Sequence, residues 1–512
     1  MQTPFLGFVI ALTMATVPCA LAIEPAEGTQ MQTTQVHLVW DAVPAADEYE
    51  VQLALDTGDG DPFDLVLLSL TTTSSDWIIK EGLEFSAQYI WHVRAIVGAE
   101  PLEWTEASHF STRSIPFGFQ LVVEVNEGEA TPQPGMTIFN HCDSIVGYEL
   151  DGSLSLLIDT PSNISSIELL SGGRLLCVGG GRAIIMAMNG DEIWSSPDDN
   201  NLRVHHSASV TPTGGILMVV REYRDIEQDG VTRTWQGDRI VEMDPETNEI
   251  LFDWSTFDHY STEDYDVHQT QHWNDWTHVN DAHFEPLDGR IWISCRHLSR
   301  VTSIDYQTGE IVANIGMDMP SGDVTVGNDL FSYQHSPELL SNGNLILFDN
   351  GNRRGGEDAG ADGSSFAVEL SLAGDPPSGA EIVWSWQTPI YSSSTGDANR
   401  LANGHTLVTT TQLGGVYEIT PTGDIAWHLD ILANESCAGL RPGYRAIRLG
   451  SLYIDNDAPC IGDVDGNGVV GVDDLLVLIG QWGGPGSGDL DGSKIVGVDD
   501  LLLLLNAWGA CL

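Results

Sequence analysis

Histidine and arginine are scarce in this chain, so the places where they gather are informative. Across 512 residues, lysine and arginine total 20 against 74 acidic residues, a formal charge of -54, with 15 histidines. His205 and His206 stand together ahead of SASVTPTGGILMV. His278 and Asn280 lie in DWTHVNDAHF, with Arg296 shortly after in SCRHLSR. His335 opens HSPELLSNGNLILFDNGNRR, which ends at Arg353 and Arg354. An imidazole can serve as acid, base or nucleophile near neutral pH, and a guanidinium fork suits oxyanions. Any one of these histidines could be a hydrogen-bonded structural residue. Three groups at equivalent positions before similar hairpins predict convergence on one site. Zinc is the other reading of clustered histidines. The run His268, His272, His278 keeps it open, although no pair is backed by a carboxylate at an equivalent repeat position.

A second chemistry is written near the C-terminus. DVDGNGVVGVDDLLVLIGQWG and DLDGSKIVGVDDLLLLLNAWG recur 26 residues apart. Oxygen-bearing residues fall at positions 1, 3, 5 and 12, with a backbone carbonyl expected at 7. In the first loop these are Asp463, Asp465, Asn467, Val469 and Asp474; in the second, Asp489, Asp491, Ser493, Ile495 and Asp500. A short loop satisfies the six to eight oxygens that Ca2+ requires only at such offsets. An amphipathic helix is predicted after each loop. Two loop-helix units without a leading helix resemble a type I dockerin over residues 460–512. That resemblance implies bound Ca2+ and a cohesin-like partner. Lys494 replaces the glycine expected at position 6 of the second loop.

The elements that must hold the histidines are strands. Between residues 116 and 458 one unit repeats: a strand, turn and strand ending near Trp, as in RIVEMDPETNEILFDW and GVYEITPTGDIAWHL, alternating with an apolar hairpin such as SIELLSGGRLLCV, DAHFEPLDGRIWIS or DANRLANGHTLVT. Four short antiparallel strands per unit predict a β-propeller. Six blades are counted, five or seven being the alternatives, with GYRAIRLGSLYI completing the last. A propeller gathers ligands at the mouth of its channel, which is where the three histidine groups should meet. Residues 30–115 read as a β-sandwich, with strands VHLVWDAV, EYEVQLAL, YIWHVRAIV and SHFSTRS. Trp40, Tyr49 and Trp91 in these strands resemble a fibronectin type III domain, a fold that implies no ligand by itself. The fold class expected is therefore mainly β, with a small C-terminal calcium-binding α module.

Residues 1–22, MQTPFLGFVIALTMATVPCALA, have the short apolar run and the Ala20-Leu21-Ala22 end of a secretory signal. The expectation is a secreted protein, extracellular or periplasmic, soluble and not membrane-bound. Export would permit disulfides, and Cys460 with Cys511, which bracket the last segment, is the favoured pair. The strong negative charge disfavours nucleic acid and anionic lipid as partners.

Taken in order, WTHVND, SCRHLSRVTSID, QHSPELLSNGNLILFDNGNRR, GDANRLANGHTLVT and YRAIRL resemble the bacterial arylsulfate sulfotransferases, secreted propeller enzymes. The resemblance implies transfer of a sulfuryl group from a phenolic sulfate donor to an acceptor, without a nucleotide cofactor and through a sulfated histidine. It implies that Arg296, Arg353 or Arg354 stabilises the charge and that His278 and His335 act at the reacting group, His335 protonating the leaving phenolate. Asn280 would orient His278 or donate to a sulfuryl oxygen. The family's sulfated histidine comes late, and TTTQLGGVYEI (409–419) has none; His405 lies in a turn expected to face solvent. His206 is one candidate to replace it, and direct transfer is another. The alternative is a non-catalytic propeller that binds glycan or protein and is displayed through its dockerin-like tail.

Overall fold

The computed structural model describes residues 23–116, 122–128, 130–353, 363–410, 415–432, 444–453, 464, 469–470, 472–484, 488, 490, 496–506 and 509–510. The chain divides into two compact units, residues 1–30 with 36–112, and residues 31–35 with 113–512. The expected signal segment, Arg354 and the favoured Cys460–Cys511 pair lie outside the described residues. Cys177 and Cys295 are free, buried thiols.

The smaller unit is built from two antiparallel sheets. Val36–Trp40 lies between Ile23–Glu24 and Asp76–Ile79 in one, and Ser108–Thr112, Gln88–Val97, Glu48–Leu55 and Val66–Thr72 follow one another in the other. Period-two alternation puts Val36, Leu38 and Trp40 inside on the first sheet, where Trp40 meets Trp91 of the second at 6.2 Å between ring centroids. The four strands expected from the sequence are all present. Val66–Thr72 is an additional strand that the sequence pattern does not mark, because its residues alternate only between half-buried and exposed, which leaves a weak apolar signal.

The larger unit contains six successive antiparallel sheets among its described residues. The second to fifth are Ile164–Leu170 through Glu192–Ser195, Val204–Val210 through Ile250–Ser255, Val279–Glu285 through Ile311–Gly316, and His335–Leu339 through Gly379–Gln387, each of four strands taken in chain order. The sixth, Asp397–Arg400 through Ile425–Leu432, gains a fifth strand from Val122–Glu127. The first comprises Met136–His141, Ser144–Tyr148 and Leu154–Asp159, completed by Ala446–Leu449. The last assignment corrects the expectation that the 443–454 stretch finishes the last repeat. It supplies the first strand of the first sheet, so the two ends of the series are joined by main-chain hydrogen bonds.

Each sheet packs its faces against both neighbours. Leu176 and Val178 meet Met218 and Val220 between the second and third sheets. Leu217 and Trp235 meet Val279 and Ile293 between the third and fourth, Trp292 and Val301 meet Leu345 and Leu347 next, and Ile346 and Phe348 meet Val408 and Tyr417 after that. Burial on both faces explains why strands such as Leu345–Asp349 are buried at every position and read as continuous apolar runs instead of alternating ones.

The tryptophan that ends the repeat has a defined task. Trp194 Nε1 donates to Asn248 Oδ1 at 3.3 Å, Trp254 to the Gly309 carbonyl at 3.0 Å, Trp384 to that of Pro421 at 3.1 Å and Trp427 to that of Leu150 at 2.9 Å. In each case the last strand of one sheet is tied to the turn between the last two strands of the next. The fourth bond runs from the sixth sheet back to the first. There Arg448 also pairs with Glu418 at 3.1 Å, with both side chains fully buried.

In the tail, helices Val472–Gly480 and Val498–Asn506 follow the two expected loops and share a core of Val470, Leu478, Val496 and Leu504. Asp474 and Asp500 are buried, and each accepts a backbone N–H at 2.7 Å from the residue ten before it, Val464 and Leu490 respectively. Val469 pairs with Ala510 in a two-stranded ladder. Asp463, Asp465, Asn467, Asp489, Asp491, Ser493 and Ile495 lie outside the described residues. Among the described residues no helix is long and apolar enough to cross a membrane.

Candidate active site

The first strand of the second, third, fourth and fifth sheets carries an irregularity near its start. Register shifts fall between Ile164 and Ile167, Val204 and Ala208, Val279 and Asp281, and His335 and Glu338. Beside them His206, His278 and Ser336 adopt φ of +61°, +47° and +50°, and Tyr333 one of +57°. Each left-handed non-glycine residue costs roughly 1–3 kcal/mol. A bulge turns the side chains beside it off the regular alternation, and here it directs them to one place.

That place is a ring-lined centre. His206 lies 4.7 Å from His278 and 5.7 Å from Tyr444 between centroids. His335 lies 5.7 Å from the same tyrosine, and His297 lies 4.5 Å from His278. Three sheets and the segment ahead of the closing strand thus contribute to one cluster. The predicted convergence of His206, His278 and His335 is therefore seen in the geometry.

Hydrogen bonds fix the tautomers. His278 Nδ1 donates to Asp275 Oδ2 at 2.5 Å, and His297 Nδ1 donates to the Asp275 carbonyl at 2.6 Å. Both rings are left with Nε2 as the atom available for chemistry. His335 Nδ1 donates to Asn350 Oδ1 at 2.6 Å, while its Nε2 accepts the Thr395 N–H at 3.2 Å. With an N–H aimed at that nitrogen, His335 has no proton there to give, so its expected role as the acid for the leaving phenolate does not fit. Asn280 also departs from its expected role. Its amide donates to the Gln334 carbonyl at 2.8 Å, tying two sheets together, and Asp275 orients His278 instead. His405, expected to face solvent, donates to the buried Glu418 at 2.8 Å.

The arginines divide by partner. Arg353 is bound to Asp266 at 2.8 Å and donates to the Tyr333 hydroxyl at 3.3 Å. Arg445 is held by Asp281 at 2.7 Å. Burial opposes the charge on Arg445, but Asp281 and Asp397 keep it firmly protonated. Arg296 is different. Its Nη2 reaches the Ser393 carbonyl at 3.0 Å and its guanidinium lies 4.6 Å over the Tyr333 ring, yet it has no ion-pair partner among the described residues and its buried Nε is unpartnered. Burial pushes its pKa down from the usual arginine range.

The same surroundings keep the imidazoles neutral. Burial, followed by the charges of His278 and Arg296, brings His297 to about 4. Burial and then Arg296 push His335 well below its ordinary value, and burial, His278, His205, His335 and Arg221 do the same to His206. Burial raises the Asp275 carboxyl, but the hydrogen bond and charge of His278 outweigh it and hold the group at about 2.

Asp275, His278 and His297 offer ligand atoms within 4.8 Å of one another, enough for a metal by geometry. Arg296 opposes a cation there, whereas neutral imidazoles and an ionised Asp275 are themselves metal-ligating forms. The predicted run His268, His272, His278 is not brought together: His268 is exposed and His272 stacks on Tyr265 at 3.9 Å.

Two cavities adjoin the cluster. One of about 580 Å³ reaches His297, Tyr333 and Arg353 and has apolar walls from Met317, Met319 and Phe331. Another of about 290 Å³ is lined by His205, His206, Arg203, Arg221, Ser165 and Tyr444.

The family described as Arylsulfotransferase (ASST) matches residues 139–431, more than half of the chain. The chain belongs to that family. The span covers the second to fifth sheets in full and most of the first and sixth. Three solved structures are similar in part, each at TM-scores too low to carry an argument. A protein of unknown function from Bacteroides caccae has 13% identity over 61% of this chain and 100% of that one (TM-score 0.39). A streptogramin B lyase has 10% identity over 64% and 98% (0.37), and virginiamycin B lyase from Staphylococcus aureus has 11% over 61% and 100% (0.31). No curated protein matches.

Sequence reasoning misses Asp275, His297, Tyr333 and Tyr444 as parts of the site. Each lies within or beside one of the histidine or arginine motifs, but residue type alone does not show which neighbours of a histidine turn inward.

The depressed histidines make stability depend on pH. The unfolded chain takes up protons near the ordinary value of 6.5, whereas folded His297 does so only near 4. Stability is therefore full above about pH 6.5 and is lost as pH falls through that window. The thermal midpoint should drop between pH 6.5 and 4, and His297→Gln should flatten the drop; equal slopes for the two proteins would contradict the assignment.

Proposed function

We propose that the protein is a secreted enzyme with a six-bladed propeller that transfers a sulfuryl group from a phenolic sulfate ester to an acceptor hydroxyl. The observation that carries this reading is Arg296: a half-buried guanidinium without a carboxylate partner among the described residues, its Nε buried and unpartnered, among neutral imidazoles in a chain with 74 acidic residues. Family membership supplies the reaction class. A sulfuryl group in flight spreads negative charge over three oxygens, and a fixed cation in a dry site stabilises it more than water does. Arg296 takes those oxygens. His278, with Nδ1–H held by Asp275, has a bare Nε2 that takes the proton of the acceptor hydroxyl, while the phenolate leaves with the electron pair of the broken S–O bond. The aryl ring occupies the larger cavity against Met317, Met319 and Phe331.

Substitution of Arg296 by Met should lower kcat/KM for an aryl sulfate by about a hundredfold to a thousandfold, the size seen when one charge-stabilising donor is lost, with the fold intact by circular dichroism. Activity within twofold of wild type would count against the reading. It would favour the alternative, a propeller that binds glycan or protein without turnover.

We also propose roles for the two flanking parts. The sandwich is a fibronectin type III-like spacer. The tail is a dockerin-like module whose Ca2+ is held by Asp474 and Asp500 with Asp463, Asp465, Asn467, Asp489, Asp491 and Ser493 and the carbonyls of Val469 and Ile495. Asp474 and Asp500 fit this by position, being buried carboxylates at the twelfth place of each loop pattern. Leu476 and Ile479 on one helix and Leu502 and Leu505 on the other are exposed at matching positions, an apolar pair of patches suited to a cohesin-like partner. Chelation of Ca2+ should unfold the tail while the propeller's transition stays in place, and Asp474→Ala should weaken Ca2+ binding by calorimetry; a tail that melts identically with and without Ca2+ would refute the site.

A further inference from the structure

The smaller cavity beside the cluster has no task in the transfer proposed for it. At about 290 Å³ it lies at the small end of ligand pockets and has room for one compact molecule. Two rings of the cluster, His206 and Tyr444, form part of its wall, and His206 lies 4.7 Å from His278 between centroids. The larger cavity has His297 in its wall, and that ring lies 4.5 Å from the same histidine. His278 is thus flanked by one wall of each cavity. Transfer between two molecules needs both of them held at one reacting centre, and two cavities meeting at His278 provide two seats.

The remaining lining of the smaller cavity is polar and cationic. Asn163 and Ser165 contribute to it together with Arg203 and Arg221. The Ser165 hydroxyl donates to the His206 carbonyl at 2.9 Å and holds the left-handed backbone at that ring. The two arginines are neighbours, since the Arg221 N–H donates to the Arg203 carbonyl at 3.1 Å. Neither has an ion-pair partner among the described residues, in a chain with 74 acidic residues, and Nε of Arg221 is buried and unpartnered. Arg203 is exposed and Arg221 half-buried, which leaves their charge within reach of an entering molecule. Two adjacent guanidiniums without a carboxylate are the complement of one, because a carboxylate accepts charge-assisted hydrogen bonds from both.

We propose that the smaller cavity seats the acceptor and that the acceptor is a phenolic carboxylate. Its hydroxyl is directed to His278, its ring lies beside His206 and Tyr444, and its carboxylate is bound by Arg203 and Arg221. The proposal rests on the sulfuryl transfer proposed above and names the acceptor for it. It adds a binding site and no bond-making step. A neutral phenol meets the same rings but leaves both guanidiniums unpaired, so the site selects by charge. The carboxylate contacts are made alike before and during transfer, and therefore act on KM more than on kcat.

The test compares two acceptors of nearly equal size that differ in charge, para-hydroxyphenylacetate and para-hydroxyphenylacetamide, with para-nitrophenyl sulfate as donor and each sulfated product followed by mass. The expected result is a KM at least about tenfold lower for the carboxylate, the worth of one charge-assisted hydrogen bond, at similar kcat. Arg221→Gln and Arg203→Gln should each raise KM for the carboxylate and narrow the gap between the two acceptors, which a merely structural role would not do. Equal use of both acceptors by the wild type, or a loss in the variants shared equally by both, overturns the proposal and leaves sulfuryl transfer standing. Transfer to plain phenol with neither of the two used does the same. No transfer to any of the three overturns the sulfuryl reading as well. Arg203 is exposed, so its replacement decides the matter should Arg221→Gln fail to fold.

Discussion

The site depends on closure of the ring of sheets. His206, His278 and His335 belong to the third, fourth and fifth sheets, and Tyr444, which both His206 and His335 face, stands directly ahead of the closing strand Ala446–Leu449. No single element could assemble them. The pairing of that strand with Met136–His141 fixes where Tyr444 and Arg445 emerge, and Trp427 and the Arg448–Glu418 pair hold the same junction from the side. A buried ion pair of this kind contributes little net stability, but losing one partner is costly. Its value here is that it admits only one seating of the closing strand.

Around this frame, charge is distributed with some economy. The chain is strongly acidic, yet the carboxylates that reach the centre are each committed. Asp275 orients His278, Asp266 binds Arg353, and Asp281 holds Arg445. Each matched carboxylate cancels a cation locally and fixes a side chain. Arg296 and Arg221 are left unmatched, and burial strengthens whatever they bind. The result is a pair of unmatched cations inside a negative protein, the field that the proposed anionic substrate calls for. The neutral imidazoles follow from the same field, and neutrality is the state in which a ring nitrogen can attack or accept a proton.

Much of the fold is legible in the sequence because blades repeat. Turns such as Asn342-Gly343, with glycine at φ +81°, and the recurring terminal tryptophans mark the units by residue type and spacing. Where the circle closes is not legible, since strand exchange between the ends leaves no local pattern. In the site, the histidines are legible by position within the repeat, whereas their roles are not. His335 and Asn280 look like reacting groups because their types can react. Their roles are decided by the Thr395 N–H and the Gln334 carbonyl, main-chain groups whose direction no residue type discloses. His278 gains weight for the same reason, as its bonding to Asp275 leaves Nε2 bare.

The central proposal is that this centre moves a sulfuryl group from a phenolic sulfate to an acceptor hydroxyl. The most direct measurement incubates the purified wild-type protein with para-nitrophenyl sulfate and a second phenol and follows both products by mass. The account predicts that nitrophenol release accelerates with the acceptor and that the second phenol appears as its sulfate ester. Neither product after prolonged incubation with protein shown to be folded would contradict it.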